Sequence, residues 1–417
     1  MYSSNEKGIN FQENKSFNKN ILQSIDMGNI SFNNADQRDN LNISDNINKN
    51  NYSPHNQIES SENNMTTILV KNNKNKDNSI DLIINNILGI LNIGNSCYIN
   101  AVIQVLLHSK LFIQKFIEKL KNIKISQYAI SNKIYEICKL ILNFEGINNN
   151  YLDVSDFINY FKIKHPFFGE EQNDSHEFCV VLLADISNEL NENKNKMKYK
   201  ELSYNFAYNK ILTEKEFNEN FKLKENSIIA DIFYSEIVSK FTCTCNYITY
   251  SFQKFLDFSL LIPDNLEIMS IDDLIENYFN SEVVEFKYLC LNCKKKCDHI
   301  KEIKLVSLPK ILIISLQRIN WALKIKNNAE IRFNEKLNLS KYVDNDFLNK
   351  NEGIYNLFAI INHEGKISFG HYYSLIKMYQ NDWYEFNDII VKKCDNNFQK
   401  LFQKCYILFY IKNGITD

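Results

Sequence analysis

Glycine and proline are scarce in this chain: ten glycines and four prolines occur among 417 residues. Together they make up about 3 %, against a usual level of about 12 %. Collagen-like and Gly/Pro-rich disordered classes are therefore excluded, and a glycine that does occur is expected where its backbone freedom is needed. Neither sign of charge is in excess, since 48 Lys and Arg face 50 Asp and Glu. No general affinity for nucleic acid is expected from that balance. No run of about 18 uncharged apolar residues exists, so no membrane span is expected. The first twenty residues are polar and lack the apolar core of a secretory signal. Ten cysteines are too few for a disulfide scaffold at this length. Without an export signal they are expected to be reduced, in a cytoplasmic or nuclear setting, and they read as nucleophile, metal ligands or core fillers.

What is abundant is asparagine at one end and aromatic residues over the rest. Residues 1–80 hold 21 asparagines but five aromatics, Tyr2, Phe11, Phe17, Phe32 and Tyr52. A segment of that kind cannot bury enough surface to offset chain entropy, so 1–80 is read as a disordered head. A second polar stretch, Asn188 to Asn226, reads as a lengthened surface connection. In between, Ile99, Val102, Ile103, Leu106 and Leu107 mark one face of a helix, and Phe178, Leu182, Ile186 and Leu190 mark another. After about Ile228 the pattern turns strand-like, as in 310–316, 355–361 and 406–411. Helices first and strands later predict an α+β fold.

One cysteine stands at a predicted helix start. In Gly89-Ile-Leu-Asn-Ile-Gly-Asn-Ser-Cys-Tyr-Ile-Asn100, Asn95 or Ser96 is the expected N-cap and Cys97 falls in the first turn. Unpaired backbone N–H groups and the positive end of the helix dipole favour a thiolate there, the state in which sulfur attacks. Gly94 permits close approach of the backbone to a carbonyl. Asn92, five residues earlier, has a side-chain amide suited to a developing oxyanion. A buried structural cysteine is the competing reading, and only a base decides between the two.

The candidate base is His371, in Phe369-Gly-His-Tyr-Tyr-Ser374. A polar break at 379–382 separates its strand-like run from Trp383-Tyr-Glu-Phe386, followed by Asn387 and Asp388. A hairpin centred at 379 would set His371 opposite Asn387. The amide would then hold one imidazole nitrogen and leave the other for Cys97, a Cys-His-Asn arrangement. Asp388 is a second orienter or a solvated carboxylate. A core histidine is the plain alternative for His371. His363 competes for the base role, but it has no partner at hairpin spacing and reads as a loop residue near the substrate.

Two cysteine pairs remain. Cys290-Leu-Asn-Cys293 is a zinc-type knuckle, and Cys243-Thr-Cys245 is a tighter pair upstream. Four thiolates from Cys243, Cys245, Cys290 and Cys293 would suit a tetrahedral structural zinc, with Cys297 and His299 as spare ligands. The alternative is a metal-free remnant held by packing. Cys138, Cys179, Cys394 and Cys405 lie in apolar contexts and read as core.

Four segments taken together resemble one family. Residues 89–100 resemble the cysteine box of the ubiquitin-specific proteases. Gln172-Asn-Asp-Ser-His-Glu-Phe178 resembles their Gln-Gln-Asp-Ala-His-Glu-Phe box. Leu308-Pro309 with Leu316-Gln-Arg-Ile319 resembles their Leu-Pro…Leu-Lys-Arg-Phe strand. Gly370-His-Tyr372 with Trp383–Asp388 resembles the histidine box. All four occur in the family's order over about Ile84–Lys412, and the cysteine pairs fall where the family has zinc-bearing fingers. The resemblance implies a papain-like catalytic domain over 84–415, with helical thumb, β-rich palm and extended fingers at about 228–305.

It implies hydrolysis of the peptide or isopeptide bond after ubiquitin's C-terminal glycine, with no cofactor for catalysis. Cys97 looks like the nucleophile, His371 the base, Asn387 the orienter and Asn92 the oxyanion donor. Gln172 and Asp174 match positions that contact the ubiquitin tail. Asp174 has a local alternative, capping a helix together with Glu177, and tail contact is the preferred expectation. The segment 363–370, with Gly365 and Gly370, is expected to be a movable flap over that tail, and His363, Gly370 and Tyr372 are expected to meet the substrate. The expected partners are ubiquitin and ubiquitinated proteins, bound by a monomeric domain, with no nucleic acid or membrane. An inactive ubiquitin-binding scaffold and a hydrolase of another ubiquitin-like modifier are the alternatives. Ser96, Asn173 and Gln317 depart mildly from the family's Thr, Gln and Lys. Thr242 stands where the first zinc ligand is expected, which puts metal binding in question.

Overall fold

The structure is a computed structural model. It describes residues 76–415 apart from 124–125, 128, 144–150, 194–208, 265, 321–322, 350–351, 368, 379–380 and 396. The polar head up to residue 75 lies outside the described residues. A helix over Lys76–Ile84 opens the described chain, so secondary structure begins inside the stretch assigned to the head. Ile83, one residue before that helix ends, is fully buried in the same core as the helices that follow.

The helical lobe is led by Cys97–His108, every residue of which is buried. A helix buried all round must satisfy its polar side chains internally. Here Asn100, Gln104 and His108 fall at every fourth position, on one stripe. Gln104 donates from Nε2 to the Leu88 carbonyl at 2.9 Å, and His108 Nε2 lies 2.9 Å from the Asn86 carbonyl. This polar stripe zips the helix to the chain that leads into it. Lys110–Asn122, Ile130–Leu142, Ser155–Lys164, Ser175–Leu190 and the short Ile228–Phe233 join it in the lobe. They share one apolar core, which continues into one face of the sheet through Ile361, Tyr372 and Ile407.

An eight-stranded sheet forms the second lobe. Its strand order is Ile390–Cys394, Trp383–Asn387, Gly370–Lys377, Ile354–Gly365, Cys405–Lys412, Ile311–Gln317 and Asp257–Leu261, with Lys336–Asn338 pairing at the side of Ile354–Gly365. The pairings are antiparallel except for the last, where Asp257–Leu261 runs parallel to Ile311–Gln317. A separate four-stranded antiparallel sheet is built from Ile248–Phe255, Ser235–Cys243, Lys296–Ser307 and Glu282–Leu289. The α+β expectation holds, and the strands expected around 310–316, 355–361 and 406–411 are all present.

Three readings need correction. The polar connection contains a helix, Lys210–Lys224, whose buried residue is Phe217. Its Lys/Asn/Glu-rich face masked the apolar signal. The start of the strand-rich part is a short helix, Ile228–Phe233, and the first strand of that part begins at Ser235. Cys394 is half-buried, whereas Cys138, Cys179 and Cys405 are core as expected.

Candidate active site

Cys97 is the first residue of its helix, and Ser96 is the N-cap. The turn before it needs two successive left-handed residues, Gly94 at φ +54° and Asn95 at φ +49°, which glycine and asparagine adopt at least cost. The Ser96 hydroxyl does not cap the helix. It accepts from Ile93 N–H at 3.0 Å and donates to Asn92 Oδ1 at 3.0 Å, which locks the loop. The Cys97 side chain is buried.

His371 stands on Gly370–Lys377, beside the Cys97 side chain. Its Nε2–H donates to Asn387 Oδ1 at 2.7 Å. With that nitrogen held, Nδ1 is left for the sulfur. The interaction with Cys97 first, then the hydrogen bond to Asn387 and the nearby Asp388 charge, raise the imidazole pKa to about 9 against the opposing effect of burial. The hairpin register differs from expectation. Ser374 pairs with Phe386 and Lys377 with Trp383, so the centre is at 380 and Asn387 reaches His371 diagonally rather than from directly across. Asn381, at φ +63°, takes up the extra residue in the turn.

Asp388 joins the two lobes. Its carboxylate accepts from Asn92 Nδ2 and from Asn100 Nδ2, both at 2.8 Å, and its carbonyl accepts from Ile90 N–H at 2.8 Å. It lies 3.9 Å from His371 Nε2. Gly89 is required at this crossing, because a Cβ there would meet the Asp388 carbonyl oxygen at 2.4 Å. Asn92 thus spends one amide proton on Asp388. Asn100 was missed by sequence reading, although a polar residue in an apolar helix was the available signal.

Gln172 lies at the rim and donates to Asn95 Oδ1 at 2.9 Å. Asp174 is the N-cap of Ser175–Leu190. Oδ1 accepts from His176 N–H at 2.7 Å, and Oδ2 accepts from the Tyr406 hydroxyl. The expected flap is shorter than supposed. His363, Glu364 and Gly365 pair with Tyr372, His371 and Gly370, so only 366–369 lie outside strands. His363 is therefore a buried strand residue, not a loop residue. Burial first, then the charges of Lys326 and His371, push its pKa down to about 3. Its ring packs on Tyr372, which packs on Tyr406. These buried rings form a floor beneath the site. Gly370 is needed beside that floor, since a Cβ would fall 2.0 Å from His363 Nε2. Lys326 ties the flap down by donating to the carbonyls of His363 and Gly365 at 3.0 and 3.1 Å.

The four expected metal ligands converge despite the irregular spacing of the first pair. The Cys243, Cys245, Cys290 and Cys293 sulfurs lie within 4.8 Å of one another. The 3.6 Å between Cys245 and Cys290 and the 4.0 Å between Cys243 and Cys293 match the ~3.8 Å edge of a zinc–thiolate tetrahedron. Asn246 at φ +64° and Lys294 at φ +58° turn the chain tightly enough at the two strand ends to aim both pairs inward. An all-sulfur set of this size suits zinc. Cys297 is not a distant spare, because its sulfur lies 3.2 Å from that of Cys243. His299 gives its Nδ1–H to the Cys297 carbonyl.

Residues 88–410 match the family described as Ubiquitin carboxyl-terminal hydrolase. Among similar proteins, ubiquitin carboxyl-terminal hydrolase Usp2 of Drosophila melanogaster is 28 % identical over 330 residues, covering 76 % of this chain and 34 % of the relative. The probable ubiquitin carboxyl-terminal hydrolase R319 of Acanthamoeba polyphaga mimivirus is 25 % identical, covering 78 % of this chain and 90 % of the relative. Usp2 is thus a longer protein, of which this chain spans about a third, and ubiquitin carboxyl-terminal hydrolase 5 of Saccharomyces cerevisiae is matched over 44 % of its length. The fold is similar to that of the SAGA DUB module Ubp8/Sgf11/Sus1/Sgf73 bound to ubiquitin aldehyde. The TM-score is 0.61 at 22 % identity, covering 86 % of this chain and 77 % of that one.

Proposed function

The chain belongs to the ubiquitin carboxyl-terminal hydrolase family, and from that premise we propose that it is a cysteine-type deubiquitinase working through Cys97, His371 and Asn387. The reading rests on one observation above all: the His371 imidazole is held by Asn387 at 2.7 Å and stands beside Cys97, whose influence is the first cause of its raised pKa.

In this mechanism His371 takes the thiol proton, and the sulfur attacks the carbonyl of the C-terminal glycine of ubiquitin. Asn92 supplies its second amide proton, and the N-terminus of the Cys97 helix its backbone N–H groups, to the oxyanion. His371 then protonates the departing lysine amine. A thioester remains on Cys97, and water activated by the same imidazole hydrolyses it. Asn387 keeps the ring in the tautomer and orientation that both proton transfers need. Gln172 contacts the incoming tail at the rim, while Asp174 shapes the groove from its cap position. Cys243, Cys245, Cys290 and Cys293 would hold a structural zinc that cross-links two strand ends of the four-stranded sheet and takes no part in the chemistry.

The test is labelling with ubiquitin carrying a C-terminal electrophile, beside probes built on other ubiquitin-like modifiers. One covalent adduct on Cys97, absent in Cys97→Ala, is expected with the ubiquitin probe. Folded protein that forms no adduct would overturn the enzyme reading, and preference for another probe would move the substrate class.

A further inference from the structure

Four sulfurs complete a zinc tetrahedron, yet five meet at the tip of the four-stranded sheet. Cys297 enters on Lys296–Ser307, two residues before His299, the residue that pairs with Cys243. Residues two apart on a strand share a face, so Cys297 and Cys243 lie on the same side of the sheet. Their sulfurs are 3.2 Å apart, closer than the 3.6 Å and 4.0 Å that separate members of the proposed ligand set. Cys297 also lies 4.0 Å from Cys293. It therefore sits against one edge of the tetrahedron. The two sulfurs differ in access: Cys243 is buried, whereas Cys297 is half-exposed.

We propose that Cys297 is a redox-exchange thiol for this site: hydrogen peroxide joins it to Cys243, and the zinc is released. The inference rests on the structural-zinc reading above. In the first step the Cys297 sulfur, having lost its proton, attacks one peroxide oxygen. An S–O bond forms and the O–O bond breaks, giving a sulfenic acid and a hydroxide that takes up a proton as water. In the second step the Cys243 thiolate attacks the Cys297 sulfur. An S–S bond forms, the S–O bond breaks, and hydroxide leaves as a second water after protonation. Two thiol sulfurs are oxidised by two electrons, and one peroxide is reduced to two waters. Zinc is left with Cys245, Cys290 and Cys293, and a three-thiolate site with an open position exchanges its metal readily.

The experiment uses the full chain in a Cys97→Ala background, so that the proposed nucleophile consumes no oxidant. Zinc-loaded protein is treated with hydrogen peroxide. Released metal is followed with a chromogenic chelator, and cross-linked peptides are mapped by mass spectrometry without reduction. The expected result is release of one zinc with a Cys243–Cys297 disulfide, reversed by a thiol reductant. Cys297→Ser should still bind zinc and release it roughly tenfold more slowly at the same peroxide concentration. Equal release rates in the two proteins, or a disulfide that leaves out Cys297, would overturn the exchange role. Purified protein that takes up no zinc would instead remove the structural-zinc reading. In that case the Cys243–Cys297 cross-link by itself still tests the pair.

Discussion

At the residue scale, the charge on two histidines is set by what surrounds them, in opposite directions. His371 is raised to about 9, so its protonated form belongs to the folded state. The stabilisation it contributes is fully present below its unfolded value near 6.5 and is lost as pH rises towards about 9. Asn387→Ala removes one cause of that rise. It should lower kcat by roughly a hundredfold with little change in KM, and move the alkaline limb of the pH–rate profile to lower pH. A profile that keeps its alkaline limb would argue against Asn387 as the orienting partner. His363 goes the other way. It is held neutral with a pKa of about 3, so its contribution is complete above about 6.5 and is lost as pH falls towards 3. His363→Phe should therefore flatten the fall in urea midpoint between pH 7 and pH 4.5, and an unchanged slope would assign that fall to other groups. At the same scale, the candidate nucleophile and base were legible because a lone cysteine at a helix start and a histidine before an amide are local patterns. The burial of His363 was not legible, because it depends on Tyr372 and Tyr406 arriving from other strands.

At the element scale, Cys97–His108 and the strand pair carrying His371 and Asn387 must be held in one geometry. The carboxylate of Asp388 does this through Asn92 and Asn100. Asn100→Leu leaves one carboxylate oxygen short of its donor. It should cost about 1–3 kcal/mol in chemical denaturation, and lower kcat by displacing the helix start. Asp388→Asn should be milder in stability than Asp388→Leu, since the amide oxygen still accepts. Equal losses would show that the charge, not the acceptor, does the joining.

A second fastening is Arg318, a buried guanidinium that donates to the carbonyls of Cys405, Asn327, Ala329 and Phe402. Arg318→Met leaves these carbonyls without the cation and should destabilise by roughly 3–5 kcal/mol, read as a drop in urea midpoint. Sequence reading had placed Arg318 within a motif without seeing this role. Its four partners lie up to 87 residues away, so no local pattern could announce them. The diagonal reach of Asn387 is a similar case. The hairpin was foreseen, but its centre moved by one residue because Asn381 adopts a left-handed turn.

At the scale of the whole molecule, the apolar core formed by the helical lobe runs on into one face of the large sheet, and a second core lies on that sheet's other side. The four-stranded sheet carries the cysteine cluster far along the chain from the Cys97 loop. Removing metal with a chelator should therefore leave the Cys97–His371 pairing intact while loosening the strand ends around 243–248 and 289–297. Limited proteolysis should find new cuts there, and labelling of Cys97 by the ubiquitin probe should persist. Loss of labelling in step with metal loss would mean the two regions are coupled.

The amino-acid sequence by itself determined the order of the four boxes, the helical first half, the strand-rich second half and the residue types that can do thiol chemistry. Each of these is carried by neighbours within a few turns of chain, where propensity and periodicity act. Only the tertiary structure decided that Asp174 caps a helix, that His363 is a buried floor residue, that Asp388 joins two lobes and that a fifth sulfur comes within 3.2 Å of a candidate ligand. Those outcomes depend on strands and helices that are distant in the chain coming into register, and a side chain's partners there are set by the packing of both elements together.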